Sequence, residues 1–279
     1  MSDTREDRGR LYVVGTPIGN VDDLSPRARD VLAKADVIAA EDTRHTRGLL
    51  SKIGVESRLI AYHEHNEAER VPGLIEQLAH GKSVALVSDA GTPLISDPGW
   101  RLVHAARAAD ITVVPVPGPC AAVAALSVAG LPTDHFVFEG FLPRGDSARL
   151  KRLEELKREQ RTIVFYEAVH RIAATLSALC DTFGGERRTA IARELTKTHE
   201  QIVTGTLADL VERLDSSIPL LGEFVIVVAG AAAIAPDEAE ARRVYALLAT
   251  ELAPDKALKL ASAVTGVSRN VLYRLTRSK

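Results

Sequence analysis

The chain has 279 residues, of which 46% are hydrophobic and 26% charged, and a formal net charge of −2. That is the profile of a soluble globular protein with room for two domains or one large one. Two cysteines, Cys120 and Cys180, make neither a disulfide framework nor a metal-site spacing, and no apolar run reaches the ~18 residues of a membrane span.

The opening "MSDTREDRGR" lacks the apolar stretch of a signal peptide, so residues 1–9 read as a disordered tail, and the sparse, unpaired cysteines make a reduced, cytoplasmic setting the expectation. Residues 10–131 read as an N-terminal α/β domain. Apolar runs at 11–14, 37–40, 58–61, 84–87 and 112–116 predict short buried strands. Ser25-Pro26 and Asp97-Pro98 have the order of a helix start. Residues 66–81 predict an amphipathic helix ending at Gly81, with Pro72 disturbing its first part. Residues 121–130 are nearly all apolar and predict a helix buried on most sides. Such alternation predicts a mainly parallel sheet covered by helices.

Pro132 and Pro143 bracket a connection into a second α/β domain, residues 132–231. Its pattern is a first strand, a charged helix at 148–159, a strand at 161–169, a helix from His170, a strand at 188–196 and a closing strand at 222–230. Neighbouring strands lie close in sequence, which predicts hairpins and antiparallel pairs. Residues 231–239 look like a linker into a C-terminal helical, basic tail, 232–279. There a helix, a "TGVS" turn and a second helix with Ser268 as N-cap suit a helix-turn-helix-like element, as they suit any packed helix pair. From Asp255 onward six basic residues face one acidic residue, a net of +5 that leaves −7 for the first 254. A basic end on an acidic body suits a polyanion contact or a solvated tail.

Ligands of open α/β sheets bind at loops that follow parallel strands. The first such loop, "GTPIGN" (15–20), has Pro17 where a dinucleotide fingerprint needs glycine, and Asn20-Val21 where a P-loop needs Gly-Lys. Glu41-Asp42 after the second strand could still serve as a ribose-binding acid. "SDAGTPLISDPG" (88–99) carries Asp89 straight out of a strand into two Gly/Pro turns, more elaborate than a connection requires. "PVPGPCAAVAA" leads into a helix start near Cys120 and Ala121, where small residues admit a flat ligand. Cys120 has no adjacent base in sequence. His63 and His65 supply two metal ligands and no evident third, so no metal is expected. "RELTKTHEQ" (193–201) gathers Arg193, Glu194, Lys197, His199 and Glu200 as a charged strand edge or a functional cluster.

Taken in order and spacing, "VGTPIGN", "EDTRHT", "YHEHNE", "SDAGTPLISDPG", "PGPCAA", "FEGFLPR" and "ARELTKTHE" resemble the tetrapyrrole-methylase superfamily and, within it, its small-subunit ribosomal RNA methyltransferase I branch. The resemblance covers about residues 10–230 and continues into the tail. It implies two α/β domains with a donor cleft between them, a homodimer, and S-adenosylmethionine-dependent 2′-O-methylation of a cytidine in the decoding region of 16S ribosomal RNA. It also implies donor contacts at Pro17, Ile18, Asp89, Ala90, Thr92, Ile95, Cys120, Ala121, Tyr166, Arg193 and Glu223. Transfer to a hydroxyl needs a base or a cation that lowers its pKa, for which Glu41, Asp42, Glu194 and Lys197 are the candidates. Arg44 and Arg193 are candidate phosphate or ribose clamps. Asp42, His63, Lys256, Arg269 and Arg274 are candidate RNA contacts, with the small ribosomal subunit as partner and no membrane. Alternatives are a methylase of a tetrapyrrole-like small molecule, a dinucleotide-dependent oxidoreductase and a non-catalytic RNA-binding protein.

Overall fold

A computed structural model describes residues 9–232 and 237–277. The opening eight residues, residues 233–236 of the expected linker and the last two residues lie outside the described residues. Gly9, read with the tail, is buried and donates its N–H to Leu78 O at 2.9 Å, so it belongs to the folded unit. The chain divides into two compact units, one through Ala231 and one from Ala232.

The first unit contains two five-stranded sheets. In the first, β1 (Arg10–Val14), β2 (Val37–Ala40), β3 (Leu59–Ala61), β4 (Val84–Val87) and β5 (Thr112–Val116) run parallel in the order β3-β2-β4-β1-β5. Every residue of β2 and β4 is buried, as expected of parallel strands covered on both faces. The connecting helices are α1 (Pro26–Lys34), α2 (Thr43–Lys52), α3 (Glu67–Ala79) and α4 (Trp100–Ala108). Ser25 caps α1 by accepting from Ala28 N–H at 3.1 Å, with Pro26 in the first turn.

Two expectations about these helices change. Pro72 lies inside α3 and is exposed, and the helix runs through it without a break. The helix expected from Asp97-Pro98 begins instead at Trp100, with Gly99 at φ 139° as N-cap. Asp97 is thereby left in the preceding loop.

Helix α5 (Ala121–Val128) leads to the second sheet: β6 (Phe136–Phe141), β7 (Thr162–Ala168), β8 (Arg188–Arg193), β9 (Gln201–Thr206) and β10 (Glu223–Val228), ordered β6-β7-β10-β8-β9. Only β6 and β7 pair in parallel; β8 and β9 form a hairpin, and β10 is antiparallel to both neighbours. Helices α6 (Asp146–Leu156), α7 (Ile172–Phe183) and α8 (Leu207–Arg213) accompany it. "RELTKTHEQ" is mostly the turn between β8 and β9 rather than a strand end. A shared apolar cluster joins Ile18 of the first loop and Ala122, Ala125 and Leu126 of α5 to Val164, Ala192 and Val225 of the second sheet. That cluster makes α5 the mechanical link between the sheets. The helix is not buried on most sides, however: Val123 is 59% and Val128 48% exposed.

The second unit holds α9 (Glu238–Ala249), α10 (Pro254–Thr265) and α11 (Arg269–Arg277) around Ala241, Leu258, Ala261, Val267 and Leu272. Gly266, at φ 72°, ends α10 in the left-handed conformation that glycine adopts without strain.

Candidate functional site

The loops beyond the ends of the parallel strands are stapled to one another by main-chain bonds. Thr16 and Gly91 exchange two backbone hydrogen bonds at 2.9 and 3.1 Å, joining the first loop to "SDAGTP". Gly15 and Gly118 meet face to face; a Cβ on Gly15 would lie 2.8 Å from Gly118 Cα, so neither position admits a side chain without movement. Thr92 Oγ1 donates to Pro119 O at 3.0 Å, and Asp42 N–H donates to Asp89 Oδ1 at 2.9 Å. The first loop therefore spends its polar groups on neighbouring loops, and its proline-containing stretch offers no phosphate cradle.

These loops and the facing second sheet enclose a cavity of about 340 Å³, within the size range of small-molecule sites. Ile18, Ile95, Ala121, Leu195 and Val225 supply apolar wall, and Phe141 and Tyr166 supply aromatic wall. The lining includes Glu41, Asp89, Asp97, Glu167 and Glu223 and no lysine or arginine. Glu167 is already committed, accepting from Thr175 Oγ1 at 2.6 Å and from Ala168 N–H.

Burial raises the pKa of Glu41, and the Asp89 charge adds to the effect. Burial pushes Asp97 up to about 7 against a hydrogen bond with Ser88, with Glu41 and Asp89 pushing the same way. An acidic cavity that lacks its own cation is suited to a positively charged ligand and opposed to a phosphate. The apolar and aromatic wall suits a nucleoside. S-adenosylmethionine, an adenosine carrying a sulfonium and an amine, has both features, so the residues present fit it.

Backbone strain concentrates here. Of the six described non-glycine residues with positive φ, Leu94 and Ser96 lie in the 88–99 loop and Glu194 and Thr196 in the β8–β9 turn. Such conformations persist only where surrounding structure over-determines them. In the turn, Lys197 Nζ reaches Glu194 Oε1 at 2.8 Å and Glu223 Oε2 at 2.9 Å. Glu194 also accepts from Glu223 N–H at 3.0 Å. Asn20 N–H donates to Thr196 Oγ1 at 3.1 Å, tying the turn to the first loop. Burial works against the Lys197 ammonium, but its two carboxylates outweigh it and hold the pKa above the ordinary lysine value.

Of the residues expected at the donor, Ile18, Asp89, Ala90, Thr92, Ile95, Cys120, Ala121, Tyr166 and Glu223 line the cavity, and Pro17 and Arg193 are absent from the lining. Arg193 is 6% exposed and directs its guanidinium to Leu221 O and His199 O, both at 2.8 Å. Tyr166 accepts from Ala122 N–H in the first turn of α5 at 3.0 Å. Of the candidate bases, Glu41 lines the cavity; Glu194, Lys197 and Asp42 are not in the lining. Asp42 caps α2 through Arg44 N–H and pairs with the Arg44 guanidinium at 2.8 Å. That pairing holds its pKa well below the usual carboxylate range.

His63 sits at the edge of this network, close enough to Glu41 for its charge to bear on that carboxylate. The rings of His63 and His65 are 6.1 Å apart. No group of three or more His, Cys, Asp or Glu among the described residues is arranged to hold a metal. Lys256, Arg269 and Arg274 are exposed in the helical unit. Sequence reasoning missed Asp97, Phe141 and Leu195. The only sequence signal for Asp97 was its Asp-Pro-Gly setting, which also fits a helix start.

Comparison with known proteins agrees with this geometry. Residues 10–211 match the family described as Tetrapyrrole (Corrin/Porphyrin) Methylases, and residues 235–276 match the RsmI C-terminal HTH domain. The chain is 54% identical, over 95% of its length and 98% of the other's, to "Ribosomal RNA small subunit methyltransferase I" of Xylella fastidiosa Temecula1. It is 47% identical to the protein of the same name from Escherichia coli O157:H7, over 96% and 94% of the two chains. Among solved structures, uroporphyrin-III-C-methyltransferase from Thermus thermophilus is 26% identical at a TM-score of 0.54, covering 80% of this chain and 94% of that one. Cobalt precorrin-4 methyltransferase shares the fold at a TM-score of 0.58 and 16% identity, over 82% and 97%. No described helix is long and apolar enough to cross a membrane. The chain belongs to the tetrapyrrole methylase family, in its ribosomal RNA small subunit methyltransferase I branch.

Proposed function

We propose that the protein methylates the 2′-oxygen of a cytidine ribose in the decoding region of 16S ribosomal RNA, with S-adenosylmethionine as donor. The observation that carries this reading is the acidic cavity without a cation at the ends of β1, β2 and β4, in a chain whose near-full-length relatives are named for small-subunit ribosomal RNA. When bound, the donor supplies a methyl group already activated on a sulfonium. The chain's own work is then to oppose that charge, exclude water and take one proton.

Asp89, Glu41 and Asp97 oppose the charge, and Ile18, Ile95, Ala121, Leu195 and Val225 exclude water. Tyr166 holds the start of α5 against the second sheet. A ribose hydroxyl releases its proton as its oxygen is methylated. Glu41 and Asp97, whose carboxylates burial makes more basic, are the acceptors we assign. Glu194 and Lys197 neutralise each other and brace the turn over the cavity. Arg44 and His63, with Lys256, Arg269 and Arg274 of the helical unit, are assigned to RNA. Exposed Val123 and Val128 on α5 support a homodimer, and a ribosomal substrate supports a cytoplasmic setting.

The test is incubation with labelled S-adenosylmethionine and, in parallel, 30S subunits, free 16S RNA and a porphyrinogen, followed by mapping of the label. Label on a cytidine 2′-oxygen is expected. Label on the porphyrinogen alone would move the protein to small-molecule chemistry.

A further inference from the structure

Trp100, the only tryptophan in the chain, is 57% exposed. It opens α4 three residues after Asp97 of the cavity lining, so its Cα lies at most about 11 Å from that of Asp97 at 3.8 Å per residue. Its near neighbours are polar. The Arg101 guanidinium sits over the indole, 4.9 Å from the ring centroid, and the His104 ring is 6.4 Å away. Arg101 is held in place, because its Nε donates to Glu67 Oε1 at 2.7 Å. Glu67 is itself buried and accepts from the hydroxyl of the fully buried Tyr62 at 3.2 Å.

The result is an aromatic plate with a fixed cation against it. An apolar protein partner gains little from a surface in which a guanidinium and an imidazole share the contact. A nucleobase gains from both, stacking on the ring while its neighbouring phosphate meets the cation. Arg44, His63 and His65 follow the C-terminal ends of β2 and β3 in the same sheet, and Arg101 is tied through Glu67 to Tyr62, the residue before His63, so the plate is linked to the rim where the RNA reading puts its substrate.

We propose that Trp100, backed by Arg101, is the stacking platform for an unpaired base of the RNA substrate, beside the nucleotide that is methylated. This rests on the RNA reading above.

Because Trp100 is the sole tryptophan, its emission reports the contact directly. Full-length protein is titrated with a single-stranded oligoribonucleotide and with an abasic oligomer of the same length and phosphate count. Quenching by the base-containing strand and none by the abasic strand at matched occupancy is expected. Trp100→Ala should raise the KM for 30S subunits at least about fivefold, the lower end of base–aromatic stacking, with donor affinity unchanged; Trp100→Phe should recover most of the loss. Equal quenching by both strands, or an unchanged KM in Trp100→Ala, overturns the proposal. So does an emission shift that depends on protein concentration without RNA, which would assign the plate to a contact between copies. If the wild-type protein methylates no RNA, the substrate reading itself falls; if it does and Trp100→Ala matches it, only the platform falls.

Discussion

Asn66 Nδ2 lies 3.1 Å from His63 Nε2, and this contact decides which imidazole nitrogen carries the proton. The Asn66 amide cannot be turned over, because its oxygen accepts from His63 N–H at 2.9 Å and its nitrogen donates to Ala61 O at 3.2 Å. The second amide hydrogen therefore points at Nε2, which must accept, and the proton belongs on Nδ1. That nitrogen is buried and has no hydrogen-bond partner among the described residues, so the proton it carries is unshared.

Nitrogen-15 NMR of the imidazole should accordingly show the Nδ1–H form in the wild type and a mixture in Asn66→Ala. A wild-type Nε2–H form would sink the argument. The same substitution strands a backbone N–H and a carbonyl, and should cost about 1–3 kcal/mol in chemical unfolding.

Asp97 makes stability and donor binding depend on pH in a defined direction. Its folded pKa of about 7 lies above the ordinary carboxylate value of 3.8, so between those values the folded state binds more protons than the unfolded one. Stability from this group is complete below about pH 4 and falls until the pH passes about 7. At roughly 1.4 kcal/mol per unit the loss is bounded at about 4 kcal/mol, and solvent reaching the side chain reduces it. Asp97→Asn should therefore be more stable than wild type at pH 8, with the gap closing toward pH 5. A cationic donor prefers ionised Asp97, so its affinity should rise from pH 6 to 8 in the wild type and stay flatter in the variant. Calorimetry at both pH values measures this; equal slopes would remove Asp97 from the donor site.

Lys197 is predicted to brace rather than to act as a base. With Glu194 and Glu223 both on its ammonium it stays charged through neutral pH. Lys197→Met should lower the melting temperature, through a loss of about 1–2 kcal/mol as half-hidden Glu194 loses a charged partner. The shape of the pH–rate profile should not change. Disappearance of one limb of that profile would restore a proton-transfer role.

The contact between Gly15 and Gly118 is predicted to set the donor site's floor. Either alanine substitution places a methyl group against opposing backbone, at about 1–3 kcal/mol for overpacking. Donor affinity should fall at least about tenfold in each, a change of 1.4 kcal/mol. A variant that keeps wild-type donor affinity would show that the two loops can separate without consequence.

Much of the first sheet and half of the site can be read along the chain, because strands and turns answer to neighbours in sequence. The apolar runs ending before Gly15, Glu41 and Ser88 are β1, β2 and β4, and a loop at the end of a parallel strand is a place for a ligand whatever its partners. That is how Asp89, Cys120 and Ala121 could be expected at the cavity, while Thr92 came only from the family resemblance. Direction is another matter. Arg193 stands in the same charged motif as Glu194, yet its guanidinium turns away to carbonyls of Leu221 and His199. Helix α5 has an apolar sequence all round, and only its packing shows that Val123 and Val128 stay in solvent.

By itself, then, the sequence determined the order of elements, the family and the loops that carry chemistry, since these follow from local propensity and motif spacing. The tertiary structure alone decided which carboxylates share a cavity and which are spent on arginine or lysine. Glu41, Asp89 and Asp97 are 48 and 8 residues apart along the chain, and the proton affinities of Glu41 and Asp97 are raised first by burial and then by the neighbouring carboxylates, in a cavity whose facing wall comes from a second sheet that begins only at Phe136. Long-range desolvation leaves no mark on local sequence. The proline loop at 15–20 shows both halves: its lack of a phosphate cradle is legible in Pro17, and its role as a wall is legible only once Gly118, Gly91 and Thr196 are in place around it.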